Sequence, residues 1–159
     1  MKAASIKELR TELNIYTHKE LVDLCLKLAK FKKESKEYLT YLLFEASDEE
    51  AFIMMVKSEI DEGFAELKGK YFYAKKKAIR KILRRIKQYI RFSKKKATEV
   101  ELLLYFCTSL KEMSPSYKRH QILQNIYDKQ LDMAVKAVTK LHEDLQFDYE
   151  EEIEELRSS

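Results

Sequence analysis

One short segment of the chain concentrates the side chains that are best suited to binding chemistry. Residues 68–96 contain 14 Lys and Arg and no Asp or Glu. Since a guanidinium fork matches the geometry of phosphate and carboxylate groups, we expect this segment to recognise acidic groups. On a helical period of 3.6 residues, the candidate binding residues for a polyanion or a partner are Lys76, Lys77, Arg80, Lys81, Arg84, Arg85, Lys87 and Arg91. As a helix, the stretch from Lys77 to Arg91 is about 21 Å long.

Three functional interpretations of this basic helix, about residues 70–95, stay open. The first is a non-enzymatic interaction or scaffold module that binds an acidic partner, either a protein or an anionic membrane surface. The second is binding of a nucleic-acid backbone, with Tyr71 and Tyr73 stacking on bases unless residues 71–73 belong to the core. The third is a structural protein whose basic helix is neutralised by its own acidic C-terminus (residues 143–155) or by acids of residues 59–66.

Motifs that carry catalysis, cofactor binding or metal binding do not occur in the sequence. The two glycines, Gly63 and Gly69, cannot form either of the common phosphate-binding loops. None of the histidines, His18, His120 and His142, has a Glu three positions before it, as carboxylate-bridged di-iron sites in helical bundles require. We therefore expect a protein that is not an enzyme and has no cofactor or metal, and we expect His120 to face solvent.

The scarcity of turn residues predicts an all-α fold. Two glycines and one proline in 159 residues exclude a β-sandwich or barrel, because these folds need turn residues at every corner. Helices are predicted over residues 5–13, 17–32, 35–46, 48–67, 70–93, 96–112 and 115–146, with a short acidic helix near 148–156. We expect about seven antiparallel helices in a compact array or a short α-solenoid-like stack. Residues 1–146 are predicted to form a single helical domain, followed by an acidic tail or short helix over 147–159.

Capping signals support the predicted helix ends. Ser5, Thr17 and Ser47 each stand three residues before a Glu, which is the pattern of a capping box. Ser114 precedes Pro115, a pair that favours a helix start. Gly69 suits the end of the helix before the basic segment.

Two stretches, 20–31 and 100–110, are apolar nearly all round, which predicts two enclosed central helices. Cys25 and Cys107 lie in these stretches, so we expect both to be buried, reduced, structural thiols. Within 115–146, a heptad spacing predicts a seam that packs inside the chain or forms a homodimer; its members are Tyr127, Leu131, Ala134, Val138, Leu141 and Leu145.

The net charge of +4 is unevenly distributed along the chain. Residues 1–67 carry −4, residues 68–96 carry +14 and residues 97–159 carry −6. The N-terminal sequence MKAASIKELR has no apolar region of the kind that signal peptides contain. No apolar stretch approaches the ~20 residues of a membrane span, so we expect a cytoplasmic protein with no transmembrane segment.

The order of elements over residues 6–106 carries a resemblance. The amphipathic stretch IKELRTELNIYTHKELVDLCLKLAKFKKESKEYLTYLLF leads to the acidic DEE, and then to KSEIDEGF, KKKAIRKILRRIK and VELLLYFCTSL. This order resembles a family of uncharacterised small helical bacterial proteins, a domain of unknown function, and is loosely similar to α-helical repeat proteins. The aromatic-proline step of that family is missing after Phe64. The resemblance implies an all-α fold and a bacterial cytoplasmic origin, and it implies no activity.

Overall fold

The computed structural model of the chain describes residues 1–158. Within this range there are eight α-helices and no strand, which confirms the all-α prediction and comes close to the predicted count. The helices are α1 (Ile6–Leu13), α2 (His18–Phe31), α3 (Lys33–Thr40), α4 (Glu49–Ala65), α5 (Phe72–Ser93), α6 (Lys96–Lys111), α7 (Gln121–Val138) and α8 (Glu143–Arg157). None of the helices in residues 1–158 is both long enough and apolar enough to cross a membrane.

The chain divides into two compact units, Met1–Phe44 and a second unit that begins at Glu45. The first unit contains α1 to α3, and α2 packs against α3. Its helix starts follow the predicted caps. The Ser5 hydroxyl accepts a hydrogen bond from the Glu8 amide at 3.3 Å, and the Glu8 carboxylate accepts one from the Ser5 amide at 2.8 Å. Thr17 caps α2 by accepting a hydrogen bond from the Glu20 amide at 3.2 Å.

The prediction that residues 20–31 form an enclosed central helix is wrong. Ala29 is the buried residue of α2, whereas Leu28 and Phe31 are exposed. Cys25 is exposed as well, so the prediction of a buried thiol at this position is also wrong. A unit of 44 residues with three short helices contains too little chain to surround one of them on every side. The apolar residues of α2 therefore exceed what its own unit can cover.

The second unit is organised around α6. This helix contacts α4, α5, α7 and α8, and its apolar residues fill the core, as the sequence predicts. Fully enclosed side chains include Leu102, Leu103 and Phe106. The thiol of Cys107 is buried as predicted, at 3.9 Å from the Tyr127 carbonyl oxygen, and burial raises its pKa to about 12. A helix that is apolar nearly all round becomes central only when the fold supplies neighbours on all sides.

The start of α4 and the turn before α5 differ in detail from the predicted caps. Asp48, and not Ser47, is the N-cap of α4, because its carboxylate accepts a hydrogen bond from the Ala51 amide at 3.1 Å. Helix α4 ends at Ala65, and Gly69 has a positive φ of 76° in the following turn. Glycine adopts this left-handed conformation without a steric penalty, so Gly69 redirects the chain from the acidic α4 to the basic α5.

The predicted long helix over 115–146 is wrong, since the chain forms three shorter elements there. Ser114 and Pro115 do not start a helix; a 3₁₀ turn over Tyr117–Arg119 precedes α7. The buried Tyr117 ring stacks on Tyr127, with 4.5 Å between ring centroids. Helix α7 ends at Val138, and α8 begins after His142, whose side chain accepts a hydrogen bond from the Asp144 amide.

The heptad seam predicted for 115–146 therefore ends with α7. Its first four members, Tyr127, Leu131, Ala134 and Val138, are buried within the chain. Leu141 and Leu145 lie beyond the end of α7. The predicted boundary between residues 1–146 and the acidic tail or short helix over 147–159 falls within α8, which runs without interruption through residues 146 and 147.

Candidate partner-binding groove

Helix α5 separates its apolar and cationic residues on two sides. Ile79, Ile86 and Tyr89 are buried against the rest of the second unit, where α5 packs on α4 and α6. The helix contains nine Lys and Arg and no Asp or Glu. Its central cations are exposed, namely Lys77, Arg80, Lys81 and Arg84. The predicted basic surface of α5 therefore includes one exposed cationic side.

The other predicted binding residues lie around this side. Lys76 is half-buried, with its ammonium 5.1 Å from the centre of the Tyr73 ring. Arg85 is half-buried over the Tyr89 ring and lies 3.9 Å from a Glu59 carboxylate oxygen. Lys87 is half-buried between α5 and α7, and Arg91 is exposed near the end of α5. The structure thus brings Arg80, Arg84 and Lys87 together on one face, and it turns Arg85 toward α4.

A groove of about 670 Å³ runs between α5 and α7. On α5 its wall is built from residues at helical spacing, Arg80, Leu83, Arg84 and Lys87. On α7 the wall follows the same kind of spacing, with Ile122, Asn125, Ile126, Lys129, Gln130 and Met133. Because residues three and four apart share one face of a helix, the two helices each present a single face to the groove.

The groove combines an apolar floor with cations and lacks carboxylates. Its apolar residues are Leu83, Ile122, Ile126 and Met133, and its cations are Arg80, Arg84, Lys87 and Lys129. The two acids in the middle of α7, Asp128 and Asp132, line a different depression on the other side of this helix. The lining therefore favours a ligand that is both acidic and partly apolar.

Two polar groups in the groove have weak or missing hydrogen-bond partners within the described part of the chain. The Lys87 ammonium is 3.0 Å from the Met133 sulfur, a weak acceptor, and burial lowers the pKa of Lys87 although Glu99 opposes this effect. Gln130 is only 3% exposed, and its Oε1 atom accepts no hydrogen bond within the described residues. Such an unpaired buried acceptor costs about 1–3 kcal/mol, which an incoming donor would recover.

A second groove, of about 450 Å³, lies between α4 and α5. Its lining includes Lys70, Lys81 and Arg85, but it also includes the carboxylates of Glu59 and Glu66. Because both signs of charge are present, this groove offers less attraction to an acidic ligand than the groove between α5 and α7 does.

The aromatic residues before α5 are divided between solvent and packing. Tyr71 is 89% exposed and Tyr73 is 70% exposed, so neither belongs to the core. Phe72 is half-buried and stacks on His120, with ring centroids 3.4 Å apart. The prediction that His120 faces solvent is therefore wrong, because its ring covers Phe72.

The acidic C-terminal helix α8 packs against α7 and α6. Its hydrogen bonds to α6 include residues in both halves of that helix. Tyr149 of α8 donates a hydrogen bond to Glu101 of α6 at 2.7 Å, and Lys57 of α4 forms an ion pair with the same Glu101 at 3.0 Å. The Lys111 ammonium donates a hydrogen bond to the Glu155 carbonyl oxygen at 2.6 Å.

The outer face of α8 is acidic and carries one exposed aromatic residue. Phe147 is 73% exposed and lies beside Asp148, Glu150, Glu151 and Glu154. Phe147, Glu150, Glu151 and Glu154 share one face of the helix, since they follow the spacing i, i+3, i+4 and i+7. This face has the opposite charge to the groove between α5 and α7.

Residues of α7 complete the groove and were not predicted from the sequence. Lys129, Gln130 and Met133 contribute a cation, an unpaired amide oxygen and apolar floor. The available signal was the spacing of Ile122, Ile126 and Lys129, which marks a second face of α7 apart from its buried seam. That signal alone does not indicate that this face lies beside α5.

Among residues 1–158, no group of three or more His, Cys, Asp and Glu side chains is arranged to hold a metal ion. Comparison of the chain with known protein families, with curated proteins and with solved structures finds no match.

Proposed function

We propose that this chain is a non-enzymatic helical interaction module that binds an acidic partner through the cationic side of α5. The observation that carries the proposal is the groove between α5 and α7, which combines four cations with an apolar floor and no carboxylate. A groove of this kind suits an amphipathic helix with acidic residues along its edges. The cations increase the rate of encounter and the selectivity, and the apolar floor contributes affinity.

The proposal is tested by fluorescence anisotropy with a labelled, Glu-rich amphipathic helical peptide. We expect binding at about 50 mM salt that weakens strongly at about 500 mM, because exposed charges are screened. The variant Arg80→Glu with Arg84→Glu reverses two groove cations and is expected to weaken binding at least tenfold. The matched control is Lys136→Glu with Lys140→Glu, which reverses two exposed charges outside the groove. Absence of binding at low salt, or equal losses in both variants, would contradict the proposal.

A second candidate function is binding of a nucleic-acid backbone. The observation that favours it is the exposure of Tyr71 and Tyr73, since exposed aromatic rings near cations suit stacking on unpaired bases. Labelled single-stranded and double-stranded oligonucleotides of roughly 16 nucleotides, titrated under the same conditions, distinguish the two candidates. Tyr71→Ala with Tyr73→Ala is expected to weaken single-strand binding and to leave peptide binding unchanged.

Of the two sources of neutralisation in the third interpretation, the acidic C-terminus receives less support than the acids of residues 59–66. Helix α8 packs on α6 and α7, and Arg85 of α5 pairs with Glu59 of α4 instead. Lys95, just after α5, pairs with Glu49 of α4 at 3.5 Å. These contacts support local compensation by α4 at the edge of the basic surface.

We further propose a bacterial origin and a cytoplasmic location, in line with the family that residues 6–106 resemble. The order of elements in the sequence supports the origin. A single helical domain over 1–146, a solenoid-like arrangement and a homodimer through residues 115–146 remain predictions from the sequence.

A further inference from the structure

The chain carries, on α8, a segment with the chemistry that its own groove would bind. The exposed face of α8 presents Phe147 together with Glu150, Glu151 and Glu154. The groove between α5 and α7 presents four cations around an apolar floor. Within one chain these two surfaces belong to different sides of α7, because α8 packs on α7 and α6 and the groove lies between α7 and α5.

We infer that the groove between α5 and α7 of one copy binds the acidic face of α8 from a second copy. In this contact Phe147 of the second copy lies on the apolar floor of the groove, over Ile126 and Met133. Its glutamates lie beside the groove cations Arg80, Arg84, Lys87 and Lys129. The inference rests on the proposed function, because it names the acidic partner as another copy of this chain.

The dimensions of the two surfaces agree. Phe147 and Glu154 are seven residues apart, which is about 10.5 Å along a helix. Arg80 and Lys87 are also seven residues apart on α5. Two helices in parallel or antiparallel contact therefore align acids and cations over the same length. Four cations face a surface that contains four acids, Asp148 included.

The contact is expected to be weak and sensitive to salt. One helical face in one groove provides less area than the roughly 800 Å² per partner of a standard stable interface. We therefore expect a dissociation constant of about 10 µM to 1 mM, and association that weakens as added salt screens the charges. Because the two surfaces are different, the contact is heterologous, and each copy retains one groove and one α8 for a further contact unless two copies pair reciprocally.

Sedimentation velocity of the full chain at rising concentration, at about 50 and about 500 mM salt, tests the inference. Wild-type protein is expected to associate at low salt and to dissociate at high salt. Two variants each disable one side: Arg84→Glu with Lys129→Glu alters the groove, and Glu150→Lys with Glu151→Lys alters α8. Each variant alone is expected to lose at least tenfold in self-association. Phe147→Ser is expected to weaken association about tenfold without changing the charge.

Mixing the two charge variants provides the decisive result. The groove variant retains an intact α8, and the α8 variant retains an intact groove, so the mixture is expected to form one-to-one dimers. The control variant, Lys136→Glu with Lys140→Glu, is expected to associate like the wild type. Circular dichroism confirms that each variant is folded before it is used.

Three outcomes would overturn the inference: a monomer at about 1 mM and low salt, unchanged association of the groove variant, or no dimer in the mixture. If the chain stays monomeric but still binds the labelled acidic peptide through the groove, the proposed function stands and only the self-association is wrong. If the peptide does not bind either, the proposed function fails as well.

Discussion

Gly63 of α4 lies against α5 at a point where a methyl group has no room. A Cβ atom at this position would be 2.8 Å from the Ile82 Cδ1 atom and 2.9 Å from its Cγ1 atom. Ordinary van der Waals contact begins near 3.4 Å, so the atoms would have to separate by about 0.5 Å. We predict that Gly63→Ala destabilises the protein even though alanine is the better helix former.

Two opposing effects decide whether Gly63→Ala raises or lowers the free energy of unfolding. Replacing a helical glycine by alanine contributes up to about 1 kcal/mol of stability, and Gly63 lies in the last turn of α4. Overpacking costs about 1–3 kcal/mol. A rotation of the Ile82 side chain about χ2 moves its Cδ1 atom but leaves Cγ1 in place. Moving Cγ1 requires a change of χ1, and β-branched residues in helices have one preferred χ1 rotamer. The helices must therefore shift apart, and we expect a net loss of about 1 kcal/mol.

The test is a double-mutant cycle measured by urea unfolding, with helical circular dichroism as the signal. In an Ile82→Ala background the clash is removed, so Gly63→Ala should then raise the free energy of unfolding by about 1 kcal/mol. Ser58→Ala, an exposed position on the same helix, is the control for helix propensity and should be stabilising by about 0.5 kcal/mol. The reasoning is refuted if Gly63→Ala stabilises the wild type, or if its effect is the same in both backgrounds.

Three further predictions concern buried polar and reactive groups. Gln130→Met removes the unpaired acceptor and should raise the free energy of unfolding by about 1 kcal/mol, measured by urea titration. Burial, with Glu101 nearby, raises the pKa of Glu152 above its ordinary 4.5, so stability falls as pH rises through the raised pKa. Glu152→Gln should therefore be more stable than wild type at pH 7, and its advantage should disappear below about pH 4. Cys25 is exposed and Cys107 is buried with a pKa of about 12, so a thiol reagent should modify one cysteine in the native chain and two after denaturation.

Each of these predictions has a contrary outcome. A loss of stability in Gln130→Met would show that the Gln130 amide makes favourable hydrogen bonds in the native protein. A pH-independent difference between Glu152→Gln and wild type would show that ionisation is not its cause; Glu154→Gln, an exposed change on the same helix, is the control. Rapid modification of both thiols in the native protein would show that α6 opens readily.

The parts of the fold that could be predicted from the sequence are those determined by local patterns. Apolar periodicity located α5 and α6, and side-chain caps located the starts of α1 and α2. The break between α7 and α8 could not be predicted in this way, because no glycine or proline marks it. Instead, Thr139 donates a hydrogen bond to the Lys136 carbonyl, and Gln146 donates one to the Leu141 carbonyl, and such side-chain bonds compete with helix continuation.

The candidate site also has one part that the sequence predicts and one part that it does not. Arg80, Arg84 and Lys87 follow from one continuous stretch of sequence. Lys129 and Met133 face them only because α5 and α7 both pack on α6, a relationship between segments some 40 residues apart that periodicity does not reveal. The exposure of α2 had a similar origin, because an all-round apolar sequence does not specify how many neighbours a helix receives.

The central position of α6 determines when the protein can fold during synthesis. Helices α4 and α5 leave the ribosome first, and the faces that they turn toward α6 have no partner until residues 96–111 follow. At roughly 5–20 residues per second, those 16 residues take about 1–3 seconds to be made. For that interval the apolar faces that α4 and α5 turn toward α6 lack their partner, beside the strongly basic α5. Because net charge favours solubility, we expect the cations of α5 to keep the incomplete chain soluble until α6 arrives.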